Sequence, residues 1–103
     1  MAEKHIIKRV LYGSEATVIK RQTNVNTHEW KLYFRPFDEE DIGLINVIEC
    51  VVFRLHESFP NSVRQVNEPP YEIVEQGWGE FEATIDVVFK FGLGKISLKH
   101  LIV

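Results

Sequence analysis

Residues 81–89 read FEATIDVVF, and apolar and polar side chains alternate along most of this stretch. Glu82, Thr84 and Asp86 lie on one face of the extended chain, and Val88 interrupts that polar face. The opposite face collects five apolar side chains: Phe81, Ala83, Ile85, Val87 and Phe89. A period of two predicts a β-strand with one buried face. This is the cleanest alternation in the chain, and it indicates a fold built from strands.

Three segments upstream carry further strand signals. Residues 30–35 (WKLYFR) alternate until Pro36, which ends the strand because proline has no N–H for the ladder. Trp30 lies on the apolar face of this strand and is predicted to be core. Residues 47–55 (VIECVVFRL) form a longer run rich in β-branched side chains, which favours a strand over a helix. Residues 71–75 are predicted as a short strand after a proline pair.

Both ends of the chain are also predicted to contribute strands. Residues 5–12 (HIIKRVLY) form the first strand, which breaks at Gly13, and residues 16–20 are consistent with a short second strand. Residues 91–95 (FGLGK) predict a glycine turn. Residues 96–103 then close the domain as the last strand.

The number of strands and turns indicates the fold class. The acidic segment at 38–43 (DEEDIG) fits either one helical turn or a plain loop, and no long helix is convincing. About seven to eight strands joined by turns predict an all-β, immunoglobulin-like antiparallel β-sandwich. With 103 residues and no internal repeat or linker, the chain is predicted to form a single domain over residues 1–103.

Composition narrows the classes of function. A net charge of −3 argues against a surface that follows nucleic-acid phosphates, so no direct nucleic-acid partner is expected. Cys50 is the single cysteine, which excludes an internal disulfide, and its apolar surroundings predict a buried, inert thiol. No secretory signal is expected at the N-terminus, and no apolar run is long enough to cross a membrane.

Two turn-like clusters stand out as candidate binding elements. We call HESFP, residues 56–60, the first loop and GWGEF, residues 77–81, the second loop. Each loop carries an aromatic side chain, Phe59 or Trp78, flanked by hydrogen-bonding groups, and such loops on a rigid β scaffold often bind ligands. Taken alone, Trp78 fits a cap on the core edge as well as a binding role, and Phe59 before a proline more often packs than contacts a ligand.

The sequence predicts no enzyme, metal or cofactor. The four histidines are widely spaced and have no cysteine or carboxylate at the spacing of zinc ligands. His56 and Ser58 lie too close along one segment for a persuasive catalytic pair, and neither an orienting acid nor an oxyanion site is indicated. No phosphate-binding loop is present in the sequence.

The order and spacing of four motifs resemble those of the YEATS domain of chromatin proteins. The motifs are THEWKLYFRP at 27–36, FRLHESFPN at 53–61, PPYEI at 69–73 and GWGEFE at 77–82, and YGSEA at 12–16 fits the family's first loop. The GWGEF form looks most like the subfamily found in chromatin-remodelling and histone-acetyltransferase complexes. The resemblance implies a nuclear, non-enzymatic reader of acetylated or crotonylated lysine on histone tails, associated with subunits of such complexes.

The resemblance also implies which residues form the acyl-lysine pocket. The matched positions of the two loops, an aromatic behind them and a residue at the pocket edge are His56, Ser58, Phe59, Gly77, Trp78, Gly79, Phe81 and His28. The family's pocket implies that Phe59 and Trp78 sandwich the planar amide. Ser58 would accept the amide N–H, a backbone N–H beside Trp78 would donate to the carbonyl, and His56 would orient Ser58 or line the slot. The glycines would permit tight backbone geometry and close approach of a ligand.

An alternative function remains open from the sequence. The same β-sandwich could be an interaction scaffold that binds protein partners through a strand edge or an apolar patch, with no dependence on lysine acylation. Peptides with and without an acyl group distinguish the two hypotheses, because only a reader responds to the modification.

Overall fold

Seven antiparallel strands and one short helix make up the computed structural model, which describes residues 9–18, 28–38, 40–77 and 80–102. Among these residues, no helix is long and apolar enough to cross a membrane. The elements are β1 (Val10–Val18), β2 (His28–Pro36), α1 (Ile42–Val47), β3 (Ile48–Arg54), β4 (Val63–Val66), β5 (Tyr71–Gly77), β6 (Phe81–Phe89) and β7 (Gly94–Ile102).

The strands form two sheets. Three strands are ordered β1-β2-β5 and four are ordered β4-β3-β6-β7, with every pairing antiparallel. The apolar faces of the two sheets pack against each other and form one hydrophobic core. This arrangement confirms the predicted immunoglobulin-like β-sandwich.

Much of the core consists of the inward positions that the alternation predicted, and Leu44 of the helix adds to it. Ala83, Ile85 and Val87 of β6 are fully buried, and Phe81 and Phe89 pack partly buried at the two ends of the same face. Trp30 is 4% exposed, which confirms its predicted place in the core. Because all of these side chains lie on one face of each strand, a register slip of one residue would expose the whole set.

Asp86 lies on the polar face of β6, yet it is only 4% exposed. Arg54 Nε donates to its Oδ2 at 2.8 Å, and Ser97 Oγ donates to its Oδ1 at 2.6 Å. Burial by itself raises the pKa of Asp86, but the hydrogen bonds from Arg54 and Ser97 and the nearby charges of Arg54 and Lys95 outweigh it and leave the pKa lowered. The carboxylate therefore links three strands, β3, β6 and β7.

Polar contacts join the two sheets along both open sides of the sandwich. Ser14 Oγ in β1 lies 2.8 Å from His100 Nε2 in β7. On the other side, Arg64 in β4 forms a salt bridge with Glu75 in β5. Both contacts connect edge strands of different sheets, so they limit sliding of one sheet over the other.

The predicted boundaries near the N-terminus are partly wrong. Gly13 does not break the first strand but is buried inside β1, opposite Tyr33 of β2. A Cβ placed on Gly13 would lie 3.4 Å from Tyr33 Oη, so the tyrosine ring covers the position. Residues 16–18 continue β1 and form no separate strand. Residues 5–8, 19 and 20 lie outside the described part of the chain.

The helix lies further along the chain than the acidic segment suggested. It spans Ile42–Val47 because Asp41 caps it, its Oδ1 accepting from the backbone N–H of Leu44 at 3.1 Å. Val47 therefore belongs to the helix and not to the following strand. Strand β4, Val63–Val66, was not predicted, since this short edge strand alternates only between exposed and half-buried side chains.

Candidate functional site

The first loop and the described ends of the second loop, Gly77 and Phe81, lie at the same end of the sandwich. Arg54, the last residue of β3, pairs with Thr84 near the start of β6, so the first loop leaves the sheet beside that start. The second loop connects Gly77, the last residue of β5, to Phe81, the first residue of β6. Antiparallel pairing thus brings together two segments that are about twenty residues apart in the sequence.

Backbone hydrogen bonds give the first loop a defined shape. The Leu55 N–H donates to Ser62 O at 2.7 Å and closes the base of the connection, while the Phe59 N–H donates to His56 O at 3.0 Å within it. Asn61 has φ of 52°, a left-handed conformation that asparagine tolerates better than most residues. The chain therefore turns back sharply after Phe59 and Pro60.

His56 and Ser58 are hydrogen-bonded to each other. His56 Nδ1 lies 2.8 Å from Ser58 Oγ, and the backbone N–H of Ser58 donates to the same Nδ1 at 3.1 Å. A backbone N–H can only donate, so Nδ1 is an acceptor and the Ser58 hydroxyl donates to it as well. The lone pairs of Ser58 Oγ are then left to accept a hydrogen bond from another group. This geometry fits the orienting role that the resemblance implied for His56.

Phe59 belongs to a cluster of aromatic rings at this end of the core. Its ring centroid lies 5.9 Å from that of Trp30 and 5.2 Å from that of Phe81. Trp30 and Phe81 are themselves 5.6 Å apart, and the His56 ring lies 6.5 Å from Phe81. Phe59 is half-buried, so it packs on the core and still presents part of its surface to solvent. The two alternatives left open by the sequence, packing and ligand contact, are therefore compatible.

Gly77 lies directly beneath Phe59. A Cβ built on Gly77 would be 3.8 Å from Phe59 Cζ, an ordinary contact distance, and its φ is outside the left-handed region. The backbone at this position therefore does not require glycine, contrary to the expectation of tight geometry. Close approach of a ligand at Gly77 stays a prediction. His28 pairs with Gly77 in the β2–β5 ladder, which places its backbone at the same end of the sandwich.

Trp78 and Gly79 lie outside the described residues. The stacking of Trp78 across from Phe59 and the backbone donor beside it stay predictions from the family resemblance. Of the other predicted pocket residues, the structure brings five into one neighbourhood: His56, Ser58, Phe59, Gly77 and Phe81. The backbone of the sixth, His28, pairs with Gly77 at the same end.

Arg64 contacts the segment just after Phe59, and no sequence pattern selects it. Its guanidinium donates to the carbonyl oxygens of Pro60 and Asn61. A single arginine in a polar segment carries no periodicity or motif signal. Its importance depends on the backbone turn at Asn61, which is visible only in the structure.

A cleft at the opposite end of the sandwich is a weaker candidate. It has a volume of about 350 Å³ and is lined in part by Pro36, Pro69, Pro70, Tyr33 and Tyr71. The three prolines carry no N–H, so they offer apolar contact but no backbone donors to a ligand. The end that holds the two loops combines aromatic surface with a free hydrogen-bond acceptor, and we therefore place the site there.

The described residues supply little reactive chemistry. Cys50 is 6% exposed, which confirms its predicted burial, and burial followed by the charge of Glu49 raises the pKa of its thiol. A buried thiol with a raised pKa is a poor nucleophile. Among the residues that the structure describes, no three metal-ligating side chains are grouped so as to hold an ion. What the site offers is aromatic surface and oriented hydrogen-bonding groups.

A β-sandwich that presents aromatic and polar side chains on loops at one end has the architecture of many ligand-binding domains. The YEATS family matches residues 25–103, and the chain belongs to that family. It is 42% identical over 90 residues to the AF-9 homolog of Candida albicans, covering 82% of this chain and 35% of that protein. It is 40% identical over 81 residues to transcription initiation factor TFIID subunit 14b of Arabidopsis thaliana, covering 78% of this chain and 30% of that protein. The chain thus spans about a third of the length of these curated relatives.

Solved structures show the same fold. The Yaf9 YEATS domain bound to H3K27ac has a TM-score of 0.78 and 31% identity, with 98% of this chain and 78% of that chain covered. The Yaf9 YEATS domain recognizing an H3K122suc peptide gives the same TM-score and identity, with 98% and 79% covered. Family membership therefore rests on sequence, on fold and on the motif residues in the two loops.

Proposed function

We propose that this domain reads acyl-lysine, acetylated or crotonylated, on histone tails. The adjacent residues Ser58 and Phe59 carry the proposal, because one supplies a hydrogen-bond acceptor that His56 orients and the other an aromatic ring that packs on Phe81. In both Yaf9 complexes named above, a YEATS domain of similar fold is associated with an acylated histone H3 peptide.

The chemistry of the ligand explains why such a site would bind acylated lysine and reject unmodified lysine. Acylation converts a lysine ammonium into a neutral, planar amide with an apolar tail. Desolvating the ammonium against aromatic rings would be costly, whereas the amide can stack its flat surface on them. The amide N–H still needs an acceptor when water is displaced, and Ser58 Oγ supplies one because its own hydrogen is directed at His56 Nδ1.

For the remaining parts of the pocket we propose the roles that the resemblance to the family implies. Trp78 provides the second aromatic face, and the backbone between Gly77 and Gly79 donates to the acyl carbonyl. Gly77 allows the acyl group to approach, Phe81 supports Phe59 from behind, and His28 lies at the pocket edge. The distance of 5.2 Å between the ring centroids of Phe59 and Phe81 is consistent with this role of Phe81.

We further propose that the domain acts in the nucleus, as part of a larger protein or complex on chromatin. The names of the relatives support this, since one is a transcription initiation factor subunit. We assign it a binding role without catalysis, since the buried thiol of Cys50 is unreactive and the His56–Ser58 pair lacks an orienting acid among the described residues. Subunits of chromatin-remodelling or histone-acetyltransferase complexes are the proposed partners, with no direct contact to nucleic acid.

Nuclear magnetic resonance mapping tests this proposal at residue level. Histone H3 peptides that differ only in one lysine, acetylated, crotonylated or unmodified, are added to the labelled domain. We expect the acylated peptides to shift the amide signals of the first and second loops, with little change from the unmodified peptide. Shifts at the Pro69-Pro70 cleft, or equal shifts with all three peptides, would instead support an interaction scaffold. Mass spectrometry of the recovered peptide tests for catalysis, because a hydrolase would release the free acid.

A further inference from the structure

We propose that Arg64 is a positioning residue for acyl-lysine binding, because its guanidinium joins the first loop to strand β5. This inference rests on the proposed function, since it concerns the same site. Arg64 itself lies on β4, beside the loop, and is not assigned any contact with the ligand. It acts through the backbone that carries Ser58 and Phe59.

On the loop side, Arg64 binds two consecutive carbonyl groups. Its Nε donates to Asn61 O at 3.0 Å and its Nη2 donates to Pro60 O at 3.1 Å. Both carbonyls face the guanidinium because Asn61 adopts φ of 52° and turns the chain back. Pro60 directly follows Phe59, so these bonds hold the segment immediately after the aromatic ring.

On the sheet side, the same guanidinium binds the carboxylate of Glu75. Arg64 Nη2 and Glu75 Oε2 form a salt bridge, with the two side chains only 25% and 27% exposed. The backbone N–H of Gln76 also donates to Glu75 Oε1 at 3.3 Å, which helps to fix the carboxylate. Glu75 lies two residues before Gly77 and pairs with Trp30 across the sheet. The acceptor is therefore tied to the strand from which the second loop leaves.

Together these contacts couple the two halves of the proposed pocket. Phe59 Cζ lies 3.8 Å from the position of a Cβ on Gly77, so a small displacement of the first loop changes the space above β5. Phe59 is held on one side by its own N–H bond to His56 O and on the other by the bonds from Arg64. A planar guanidinium can bind three acceptors in one plane, whereas the ammonium of lysine cannot reproduce that fork.

Substitution of Arg64 tests the inference, with Arg54 as the matched control. Arg54 also makes a charged hydrogen bond, to Asp86, but on the outer face of the four-stranded sheet. We expect Arg64→Ala to weaken binding of an acetylated histone H3 peptide about tenfold, the effect of losing roughly one charge-assisted hydrogen bond. Arg64→Lys should recover only part of that loss. Arg54→Ala should leave the Kd unchanged, even where it lowers the melting temperature.

Amide hydrogen exchange distinguishes positioning from general stability. In Arg64→Ala we expect faster exchange in residues 57–62 and unchanged exchange in β3 and β6. Faster exchange throughout the domain would overturn the positioning role, because it would indicate a loss of global stability. If the wild type prefers the acetylated peptide and Arg64→Ala leaves the Kd unchanged, the positioning role of Arg64 is overturned and the proposed function stands. A wild type that does not discriminate acetylated from unmodified peptide would overturn the proposed function and this role with it.

Discussion

Phe59 meets Trp30 nearly at a right angle, with their rings 5.9 Å apart and their planes inclined by 87°. Trp30 belongs to the three-stranded sheet, and the other neighbour of Phe59, Phe81, belongs to the four-stranded sheet. The ring of Phe59 is therefore oriented by both layers of the sandwich. A loop residue held in this way can present a flat surface to a ligand with little loss of entropy on binding.

Replacing Phe59 by leucine should separate its packing role from its binding role. Leucine keeps most of the apolar volume but loses the flat face, so we expect a stability loss of about 1 kcal/mol, since the side chain is only half-buried. Affinity for an acetylated peptide should fall about tenfold or more through lost stacking. Phe91→Leu is the control, because Phe91 is 82% exposed at the other end of the domain. Equal affinities of Phe59→Leu and wild type would contradict a stacking role.

Removal of the Ser58 hydroxyl should affect binding without affecting the fold. Ser58 is exposed and its hydroxyl bonds only to His56 Nδ1 among the hydrogen bonds described, so Ser58→Ala should change the free energy of unfolding by less than about 0.5 kcal/mol. The acyl amide N–H would lose its acceptor, and affinity should fall by about five- to tenfold. Calorimetric titration and denaturant unfolding of the same sample provide both values. A large stability loss in this variant would show that the hydroxyl is mainly structural.

Gly77→Ala should leave the stability of the fold unchanged and weaken ligand binding. Among the described residues, the new methyl group would contact Phe59 alone, at 3.8 Å and 4.0 Å, and the backbone is not in a conformation reserved for glycine. We expect the melting temperature to stay within about 2 °C of wild type. Affinity should fall, because the methyl group occupies space where the acyl chain approaches. The loss of affinity should be larger for a crotonylated than for an acetylated peptide. The reverse order would contradict the proposal that the acyl chain passes close to Gly77.

Asp86 should make stability depend on pH. Its pKa is lowered in the folded state, so its contribution is present above the ordinary carboxyl pKa of about 3.9 and is lost as the pH falls through the lower folded value. We expect Asp86→Asn to reduce the free energy of unfolding by about 1–2 kcal/mol at neutral pH, since the hydrogen bonds from Arg54 and Ser97 weaken. Urea unfolding at neutral pH and near pH 3 should show a smaller difference between the two proteins at the acidic pH. Glu82→Gln, an exposed site on the same strand, is the control.

Much of the fold follows from local patterns. The period-two alternation of β6 predicts the residues that fill the core, and the run at 47–55 contains all of β3. Errors arise where the outcome depends on a distant partner. Gly13 continues its strand because Tyr33 covers it from β2, and β4 exists because β3 offers it an edge for pairing. Neither partner can be read from the local sequence.

In the candidate site, too, local contacts could be predicted from the sequence and long-range contacts could not. The motif residues of the first loop are adjacent in the sequence, so the contact between His56 and Ser58 is a local property. The contacts of Phe59 with Trp30 and Phe81 depend on how two sheets pack, and the role of Arg64 depends on a left-handed residue three positions before it. Long-range packing and backbone turns of this kind leave no signal in a single sequence.

Titration calorimetry of acetylated and unmodified histone H3 peptides against wild type and Trp78→Ala tests the central claim most directly. If Phe59 and Trp78 form the two faces of an acyl-lysine slot, wild type should bind the acetylated peptide and give no measurable heat with the unmodified one. Trp78→Ala should lose about tenfold or more in affinity while retaining its melting temperature. Equal affinity of the two proteins for the acetylated peptide, or equal affinity of wild type for both peptides, would contradict the account.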